Sequence, residues 1–221
     1  MTLYAFKPAF VRWVRPTAGR LARLGVTANE VTVASTGLSL AIGFGVAANA
    51  HTRELFLLIP VWFPLRMVLN AIDGLLAREF YQRTPLGAYL NELGDVVSDA
   101  ALYLPFALVK PFSALSVGTV IFFALLAEFV GALGATVGGE RRYDGPMGKS
   151  DRALVFGALG LWVGVGLPAS VWMSWLMPAL ALLLVRTIVN RARAGIRFAR
   201  TLRTDVHAHE SWTRNSHENG A

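Results

Sequence analysis

The sequence has no cysteine and little charge. Of its 221 residues, 16% are charged and 54% are hydrophobic, whereas a soluble domain has about 25% charged and about 45–50% apolar residues. The lack of cysteine excludes a disulfide scaffold, and the apolar composition excludes a disordered chain and an ordinary soluble enzyme. A mean hydropathy of +0.48 points to a membrane protein.

Acidic residues are scarce as well. The chain has 14 Asp and Glu against 21 Lys and Arg, which gives a formal net charge of +7. A basic chain of this kind could bind nucleic acid, and the positions of the cations along the chain distinguish a nucleic-acid-binding protein from a membrane protein.

Six stretches approach the roughly 20 apolar residues that a membrane-spanning helix needs. They are Val31–Asn49, Leu55–Ala77, Leu86–Val109, Ala114–Val137, Ala153–Leu167 and Ser170–Val189. We therefore predict an all-α integral membrane protein with six transmembrane helices, preceded by an N-terminal amphipathic interfacial helix. The predicted parts are an interfacial segment at 1–26, a membrane domain at 27–190, and a basic then polar cytoplasmic tail at 191–221.

The cations fall on one side of this topology. With both termini on the same side, 18 of the 21 Lys and Arg lie there, while Arg53 and Lys110 lie opposite and Arg66 is inside a span. The positive-inside rule places that side in the cytoplasm. This asymmetry explains the basic composition without a nucleic-acid partner.

The N-terminal segment has an apolar face opposite a basic one, which is typical of a helix lying in the membrane interface. Two interpretations stay open: a plain topology anchor, or a collar that positions a lipid-facing site. The apolar face consists of Phe6, Phe10, Trp13, Val14, Leu21 and Leu24. After it, Thr27 and Glu30 fit a capping box at the start of the first span.

Ionisable residues inside the spans indicate function, because each costs about 2.5–3.5 kcal/mol on insertion scales. Three of them, Arg66, Asp99 and Glu128, lie at similar depths, and we expect one buried ion network to join them. A proton or ion pathway is the alternative, but the third span turns fully apolar after Asp99. The full set is Arg66, Asp73, Glu92, Asp95, Asp99 and Glu128.

The spacing of the polar residues predicts a binding site. Asn70 and Asp73 share one face of the second span, and Asn91 and Asp95 share one face of the third. A short turn makes these two helices antiparallel neighbours, so the four side chains should converge in the cytoplasmic half of the membrane. Carboxylate and amide oxygens suit Mg²⁺ or Mn²⁺ rather than a soft metal.

These residues carry a resemblance to a known family. The segment from Asn70 to Asp95 resembles the signature D-x2-D-G-x2-A-R-x8-G-x3-D-x3-D of the CDP-alcohol phosphatidyltransferases, with every gap kept. Asn occupies two of the eight fixed positions, and the remaining six match. The matching positions are Asp73, Gly74, Ala77, Arg78, Gly87 and Asp95.

The resemblance implies an inner-membrane enzyme that transfers a substituted phosphate from a CDP-linked lipid, such as CDP-diacylglycerol, to an alcohol acceptor, with CMP released. One or two Mg²⁺ or Mn²⁺ ions would bind Asp73, Asp95, Asn70 and Asn91, and Asp95 would be the catalytic carboxylate as ligand or base. The implied nucleotide-binding residues are Gly74, Ala77, Arg78 and Gly87. For Arg78, a plain inside-positive anchor is the alternative.

The two asparagines lower the formal charge of the four ligand positions. Weaker metal binding, one metal ion in place of two, and loss of catalysis are all compatible with Asn70 and Asn91. One alternative function is therefore a degenerate homologue that binds nucleotide or lipid. A second alternative is a small membrane transporter or interaction protein, in which the charged cluster would be a permeation or assembly site.

The loop at 138–152 is rich in glycine and carries four cations. In members of the family, basic residues of this region face the acceptor or its phosphate, and a plain positive-inside loop is an equal alternative. The candidates are Arg141, Arg142, Lys149 and Arg152. Gly134 and Gly138 form a GxxxG pattern, which could mark a homodimer face or close packing within one chain.

Overall fold

The computed structural model describes the backbone of residues 7–137, 139–168 and 170–218, and the side chains of 10–137, 139–168 and 170–201. These residues form helices and loops, with no strand among them. The α-helices are α1 (Lys7–Arg23), α2 (Ala28–Ala48), α3 (Leu58–Glu79), α4 (Pro85–Tyr103), α5 (Ala114–Thr136), α6 (Lys149–Val165) and α7 (Leu176–Glu218). Short 3₁₀ helices cover Arg53–Leu57, Leu104–Leu108 and Val171–Trp175.

All six predicted spans coincide with helices, but among the described residues four segments are long and apolar enough to cross a membrane. These are Ala28–Ala48, Arg53–Glu79, Ala114–Thr136 and Val171–Thr201. The helix α4 carries several charged residues, and α6 has 17 residues, which is short for a hydrocarbon core of about 30 Å. The predicted boundary at 190/191 does not end a helix, because α7 continues to Glu218.

The chain divides into two compact units, which are described separately. Unit 1 comprises Met1–Gly118 and Ala153–Ser174, and unit 2 comprises Thr119–Arg152 and Trp175–Ala221. In unit 1, α2 packs against both α3 and α4, and α1 packs against α3.

The capping box at the start of α2 is confirmed. The Glu30 backbone N–H donates to the Thr27 hydroxyl at 3.2 Å, and the Thr27 backbone N–H donates to the Glu30 carboxylate at 2.8 Å. The turn between α3 and α4 is tied to the same helix end, because the Ala28 N–H donates to Gln82 Oε1 at 2.7 Å. Thr84 caps α4 in turn, since its hydroxyl accepts from the Gly87 N–H at 2.9 Å. The ends of three helices are thereby fixed together.

The N-terminal helix uses part of its apolar face for packing within the protein. Val14 and Ala18 are buried against Ile72, Leu75 and Leu76 of α3. By contrast, Trp13 is 70% exposed and Leu24 is 78% exposed. The predicted single apolar face is thus divided between a contact with α3 and an exposed edge, and Phe6 lies outside the described residues.

Four aromatic side chains pack against one another in unit 1. Tyr103 stacks on Phe156 with ring centroids 3.8 Å apart, and Phe106 packs against both Phe156 and Phe56 at 5.4 Å. Such pairs contribute about 0.5–1.5 kcal/mol beyond the area that they bury. Through Phe156, α6 is held against the ends of α3 and α4.

In unit 2 the loop after α5 folds back onto α5 and α7. The Arg142 N–H donates to the Gly131 carbonyl at 2.9 Å, and the Met147 N–H donates to the Thr187 hydroxyl at 3.1 Å. A Cβ on Gly134 would lie 2.8 Å from Arg142 Cγ. Gly134 therefore serves close packing within one chain, and its partner in the predicted GxxxG pattern, Gly138, lies outside the described residues.

Candidate functional site

The predicted polar faces of α3 and α4 meet at Asp95. Its Oδ1 atom accepts from Asn70 Nδ2 at 3.2 Å and from Arg66 Nη2 at 3.1 Å. Asn70 and Arg66 belong to α3, so long polar side chains bridge the two helices. The spacing of the sequence motif predicted this contact. Asn91 lies half-buried on α4, one turn before Asp95.

Arg66 is buried between two carboxylates. Its side chain is 4% exposed, and Nη1 lies 2.6 Å from Asp99 Oδ1 while Nη2 also donates to the Asp95 carbonyl oxygen at 3.1 Å. The expected pairing of Arg66 with Asp99 is confirmed. The expected inclusion of Glu128 is wrong, because that carboxylate pairs with arginines of unit 2.

Asp73 is held by a residue that the motif does not contain. Asp73 is 5% exposed, and its Oδ2 atom accepts a hydrogen bond from the Thr32 hydroxyl of α2 at 2.9 Å. Thr32 escaped the sequence analysis, because a lone threonine in an apolar span gives no sign of the helix that it faces. We call Arg66, Asp73, Asp95 and Asp99 the acidic cluster.

Oxygen ligands of the kind that Mg²⁺ and Mn²⁺ prefer are present in the acidic cluster and on the two asparagines beside it. Carboxylates of Asp73 and Asp95 and the amide oxygens of Asn70 and Asn91 are ligand types of Mg²⁺ and Mn²⁺. However, no group of three or more His, Cys, Asp or Glu among the described residues is arranged to hold a metal ion. Asp95 also already contacts the Arg66 cation.

The predicted nucleotide-binding residues lie at the end of α3 and the start of α4. Arg78 is exposed, and a Cβ on Gly74 would lie 3.0 Å from Arg78 Nη2, so glycine leaves room for the guanidinium. A Cβ on Gly87 would lie 2.6 Å from Asn29 Oδ1. Gly87 therefore permits close contact with the first turn of α2. Ala77 is half-buried between these positions.

Unit 2 contains a second buried ionic group, centred on Glu128 of α5. Glu128 is 7% exposed. Its Oε1 lies 2.9 Å from Arg152 Nη2, and its Oε2 lies 2.8 Å from Arg141 Nη2 and 3.4 Å from Arg191 Nη1. We call these four residues the arginine cluster.

Positive charge exceeds negative charge in the arginine cluster, where three guanidinium groups surround one carboxylate. Burial lowers the pKa of Arg141 from its ordinary value, and the charges of Arg191 and Arg152 act in the same direction. Arg191 also donates to the Ala127 carbonyl at 2.6 Å.

Two of the four predicted acceptor-binding residues are in this cluster, namely Arg141 and Arg152. Arg142 instead lies over the Phe198 ring, 4.8 Å from its centroid, and Lys149 is half-buried at the start of α6. The sequence analysis missed Arg191 because it counted this residue with the tail cations. Its position, four residues after the buried Thr187 and seven after the buried Leu184, marks the core-facing side of α7.

Comparison with known proteins places this chain in a family. No protein-family model matches it. It is 47% identical over 197 residues to inner membrane protein YnbA of Escherichia coli (strain K12), and this match covers 88% of the chain and 96% of that protein. The chain belongs to the same family as YnbA. It is also 28% identical to a phosphatidylinositol phosphate synthase of Corynebacterium glutamicum over 198 residues, 86% of each chain.

Solved structures show the same fold. The phosphatidylinositol phosphate synthase of Mycobacterium tuberculosis in complex with manganese and citrate matches with a TM-score of 0.67 and 21% identity, over 82% of this chain and 88% of that one. The same enzyme with CDP-DAG bound matches with a TM-score of 0.61 and 20% identity, over 82% and 91% of the chains. The protein therefore has the fold of these synthases.

Proposed function

We propose that the protein is a CDP-alcohol phosphatidyltransferase of phospholipid biosynthesis. It transfers the substituted phosphate of a CDP-linked lipid, such as CDP-diacylglycerol, to the hydroxyl of an alcohol acceptor and releases CMP. The observation that carries the proposal is the acidic cluster itself: Asp73 and Asp95 keep the spacing of the family signature, with Asp73 buried on α3 and Asp95 half-buried on α4. The fold shared with a synthase that binds CDP-DAG supports it.

The reaction exchanges one P–O bond for another. The acceptor oxygen attacks the phosphorus of the lipid phosphate, the bond to the CMP phosphate breaks, and CMP leaves with the electron pair. A divalent cation, when bound, offsets the negative charge of the phosphate oxygens. Asp73 is the proposed cation ligand, and Thr32 fixes the orientation of its carboxylate.

Asp95 is the proposed catalytic carboxylate. It binds the cation or accepts the proton of the acceptor hydroxyl, and Asn70 and Arg66 hold its Oδ1 in place at 3.2 and 3.1 Å. Fixed donors of this kind keep a reacting carboxylate in one orientation. Asn91, one turn away on the same face, is the proposed neutral ligand.

The nucleotide end of the donor is assigned to the exposed edge of α3 and α4. Arg78 is proposed to pair with phosphate, because it is exposed and extends from the same helix as Asp73. Gly74 and Gly87 have no side chain and Ala77 has a small one, and these three positions are assigned to the nucleotide because bulky side chains would hinder its approach.

The acceptor is proposed to carry a phosphate or another anionic group. Arg141 and Arg152 are its first candidate ligands, because both guanidinium groups lie together at Glu128 in the arginine cluster. Arginine forms bidentate pairs with phosphate and is therefore suited to this task. Arg142 and Lys149 of the same loop are secondary candidates.

The proposed setting is the inner membrane, with six crossings and with both termini and the site on the cytoplasmic side. The cation distribution of the sequence supports this orientation. The relative YnbA is named an inner membrane protein, and four helical segments have the length and hydropathy of a span.

The test is CMP release by the purified protein, given CDP-diacylglycerol, Mg²⁺ or Mn²⁺, and a panel of phosphorylated and uncharged alcohols. We expect release that depends on one acceptor and falls to background in Asp95→Ala. The matched control is Glu54→Gln, which alters an exposed carboxylate paired with its neighbour Arg53. Equal CMP release by wild type and Asp95→Ala with every acceptor would contradict the proposal and favour a non-catalytic binding protein.

A further inference from the structure

Arg141 is the member of the arginine cluster that a loop supplies. Arg152 lies on α6 and Arg191 lies on α7, whereas Arg141 lies on the loop between α5 and α6. A loop residue keeps one position only where neighbouring contacts restrict the backbone, because an unrestricted backbone gains conformational entropy. The contacts that hold Arg141 at Glu128 are therefore expected in its neighbours on the loop.

The backbone of Arg142, the next residue, lies directly on α5. Its N–H donates to the Gly131 carbonyl at 2.9 Å. A Cβ on Gly131 would lie 2.7 Å from the Arg142 carbonyl oxygen, so glycine at this position leaves room for the loop. Arg141 is thus followed by a residue that is fixed to the helix carrying Glu128.

The side chain of Arg142 contacts α7 instead. Its guanidinium lies over the Phe198 ring, 4.8 Å from the centroid, which is within the range of about 6 Å for a cation–π contact. The same ring lies close to the loop at a second point, because a Cβ on Gly139 would be 2.9 Å from Phe198 Cδ1. The Gly139 N–H also donates to the Gly134 carbonyl at 3.2 Å. Phe198 therefore contacts the loop on both sides of Arg141.

The position of Phe198 follows from the spacing of residues along α7. Thr187, Arg191 and Phe198 are four and seven residues apart, which places them on one face of the helix. Thr187 accepts from the Met147 N–H of the loop, and Arg191 donates to a carbonyl of α5. Phe198 extends this face by two turns, and it is 37% exposed. Its ring can therefore be altered while the buried residues of the face keep their contacts.

We propose that Phe198 is a positioning residue for the acceptor site. Through the guanidinium of Arg142 and the backbone of Gly139, its ring holds the loop against α5, and the loop keeps Arg141 at Glu128. This inference rests on the proposed function for the nature of the acceptor, whereas the state of the loop can be measured without turnover.

Hydrogen exchange of the loop amides, followed by mass spectrometry on the protein in lipid nanodiscs, tests the contact itself. Phe198→Leu keeps an apolar side chain but removes the ring, and the exchange rate of residues 139–143 is expected to rise about threefold to tenfold. Phe198→Tyr keeps the ring and is expected to exchange like wild type. The matched control is Phe122→Leu, which alters an exposed ring of α5 that lies against Phe123. Equal exchange in Phe198→Leu and wild type would overturn the proposal.

Acceptor kinetics test the positioning role. With the acceptor that supports CMP release, Phe198→Leu is expected to raise the KM for that acceptor about threefold to tenfold, while kcat and the KM for CDP-diacylglycerol stay unchanged. Phe198→Tyr is expected to restore the acceptor KM. A lower kcat alone, or equal rises in KM for both substrates, would contradict a positioning role.

A second variant keeps the test valid if thermal unfolding shows that Phe198→Leu is not folded. Gly139→Ala places a Cβ 2.9 Å from Phe198 Cδ1, so the ring and the loop have to move apart. The same rises in exchange rate and acceptor KM are expected, and wild-type values in this variant would overturn the proposal.

The two measurements separate this inference from the proposed function. Faster loop exchange in Phe198→Leu, with no CMP release by wild type, supports the loop contact and contradicts the transferase. CMP release by wild type, with unchanged exchange and unchanged acceptor KM in Phe198→Leu, supports the transferase and contradicts the role of Phe198.

Discussion

The two buried ionic groups of the protein have opposite compositions. The acidic cluster of unit 1 surrounds one arginine with carboxylates, whereas the arginine cluster of unit 2 surrounds one carboxylate with guanidinium groups. In each group a single residue of the minority sign, Arg66 or Glu128, reduces the repulsion among the others. The proposed function assigns a cation to the group in unit 1 and an anion to the group in unit 2.

The two groups also differ in the elements that supply their residues. Residues of the acidic cluster come from neighbouring helices, with Arg66 and Asp99 33 positions apart in the sequence. In the arginine cluster, Arg191 reaches α5 from a position 64 residues away from Ala127. Helix periodicity places the residues of the first group on their faces, whereas Arg141 of the second group lies on the loop after α5.

The largest expected effect is the loss of the minority charge in unit 2. Glu128→Gln removes the carboxylate that pairs with Arg141, Arg152 and Arg191, and breaking a buried ionic group costs about 3–5 kcal/mol of folding stability. Thermal unfolding in detergent would measure it, with the exposed Glu54→Gln as the control that should not change. Equal unfolding temperatures for the two variants would mean that Glu128 does not hold the arginines together.

The second largest effect tests whether the arginine cluster of unit 2 binds the anionic acceptor. Arg141→Gln removes one cation that would contact the acceptor phosphate, and hydrogen bonds to charged groups contribute about 1.5–3 kcal/mol. We expect the KM for a phosphorylated acceptor to rise about tenfold or more, with little change for CDP-diacylglycerol. Arg186→Gln, which alters an exposed cation of α7, is the control. A KM that rises only for the donor would contradict the assignment.

A smaller effect is expected from the support of Asp73 in unit 1. Thr32→Val keeps the shape of the side chain but removes the hydroxyl that donates to Asp73 Oδ2 at 2.9 Å. Loss of a group that orients a metal ligand weakens binding about 10–100-fold, so the Mn²⁺ affinity should fall while Thr32→Ser restores it. Identical Mn²⁺ affinities for the valine and serine variants would mean that the Thr32 hydroxyl does not support Asp73 as a metal ligand.

The smallest effect is expected at the exposed pair between Arg15 of α1 and Glu79 of α3. Exposed ion pairs contribute less than about 1 kcal/mol, so Arg15→Met should barely change the unfolding temperature. Raised salt should remove what difference remains. A fall in unfolding temperature as large as that of Glu128→Gln would mean that this exposed pair contributes as much stability as a buried ionic group.

The sequence predicted those parts of the fold and site that depend on local spacing. The steps of three and four residues placed Arg66 and Asn70 on one face and Asp95 and Asp99 on another, and the structure joins these faces. The Thr27 cap followed from the same kind of local pattern. Thr32 and Arg191 were missed because their roles arise from contacts with distant helices, and no spacing within α2 or α7 identifies those partners.

The same limit explains the error over Glu128. Its depth in the fourth span matched that of Arg66, and depth alone suggested a shared network. The loop after α5 folds back and brings Arg141 to Glu128 at 2.8 Å, and loop geometry of this kind is not encoded in hydropathy. Residues at equal depth in a membrane protein can thus belong to separate ionic groups.

The most direct test of the account is the identity of the lipid product. Purified protein in nanodiscs would be given CDP-diacylglycerol, Mn²⁺ and each acceptor, and mass spectrometry would compare the new lipid with the CMP released. We expect one phosphorylated acceptor to yield a phosphatidyl product in equal amount to CMP, and Asp95→Ala to yield neither. Absence of any new lipid in wild type, with Mn²⁺ and nucleotide bound, would contradict the central claim.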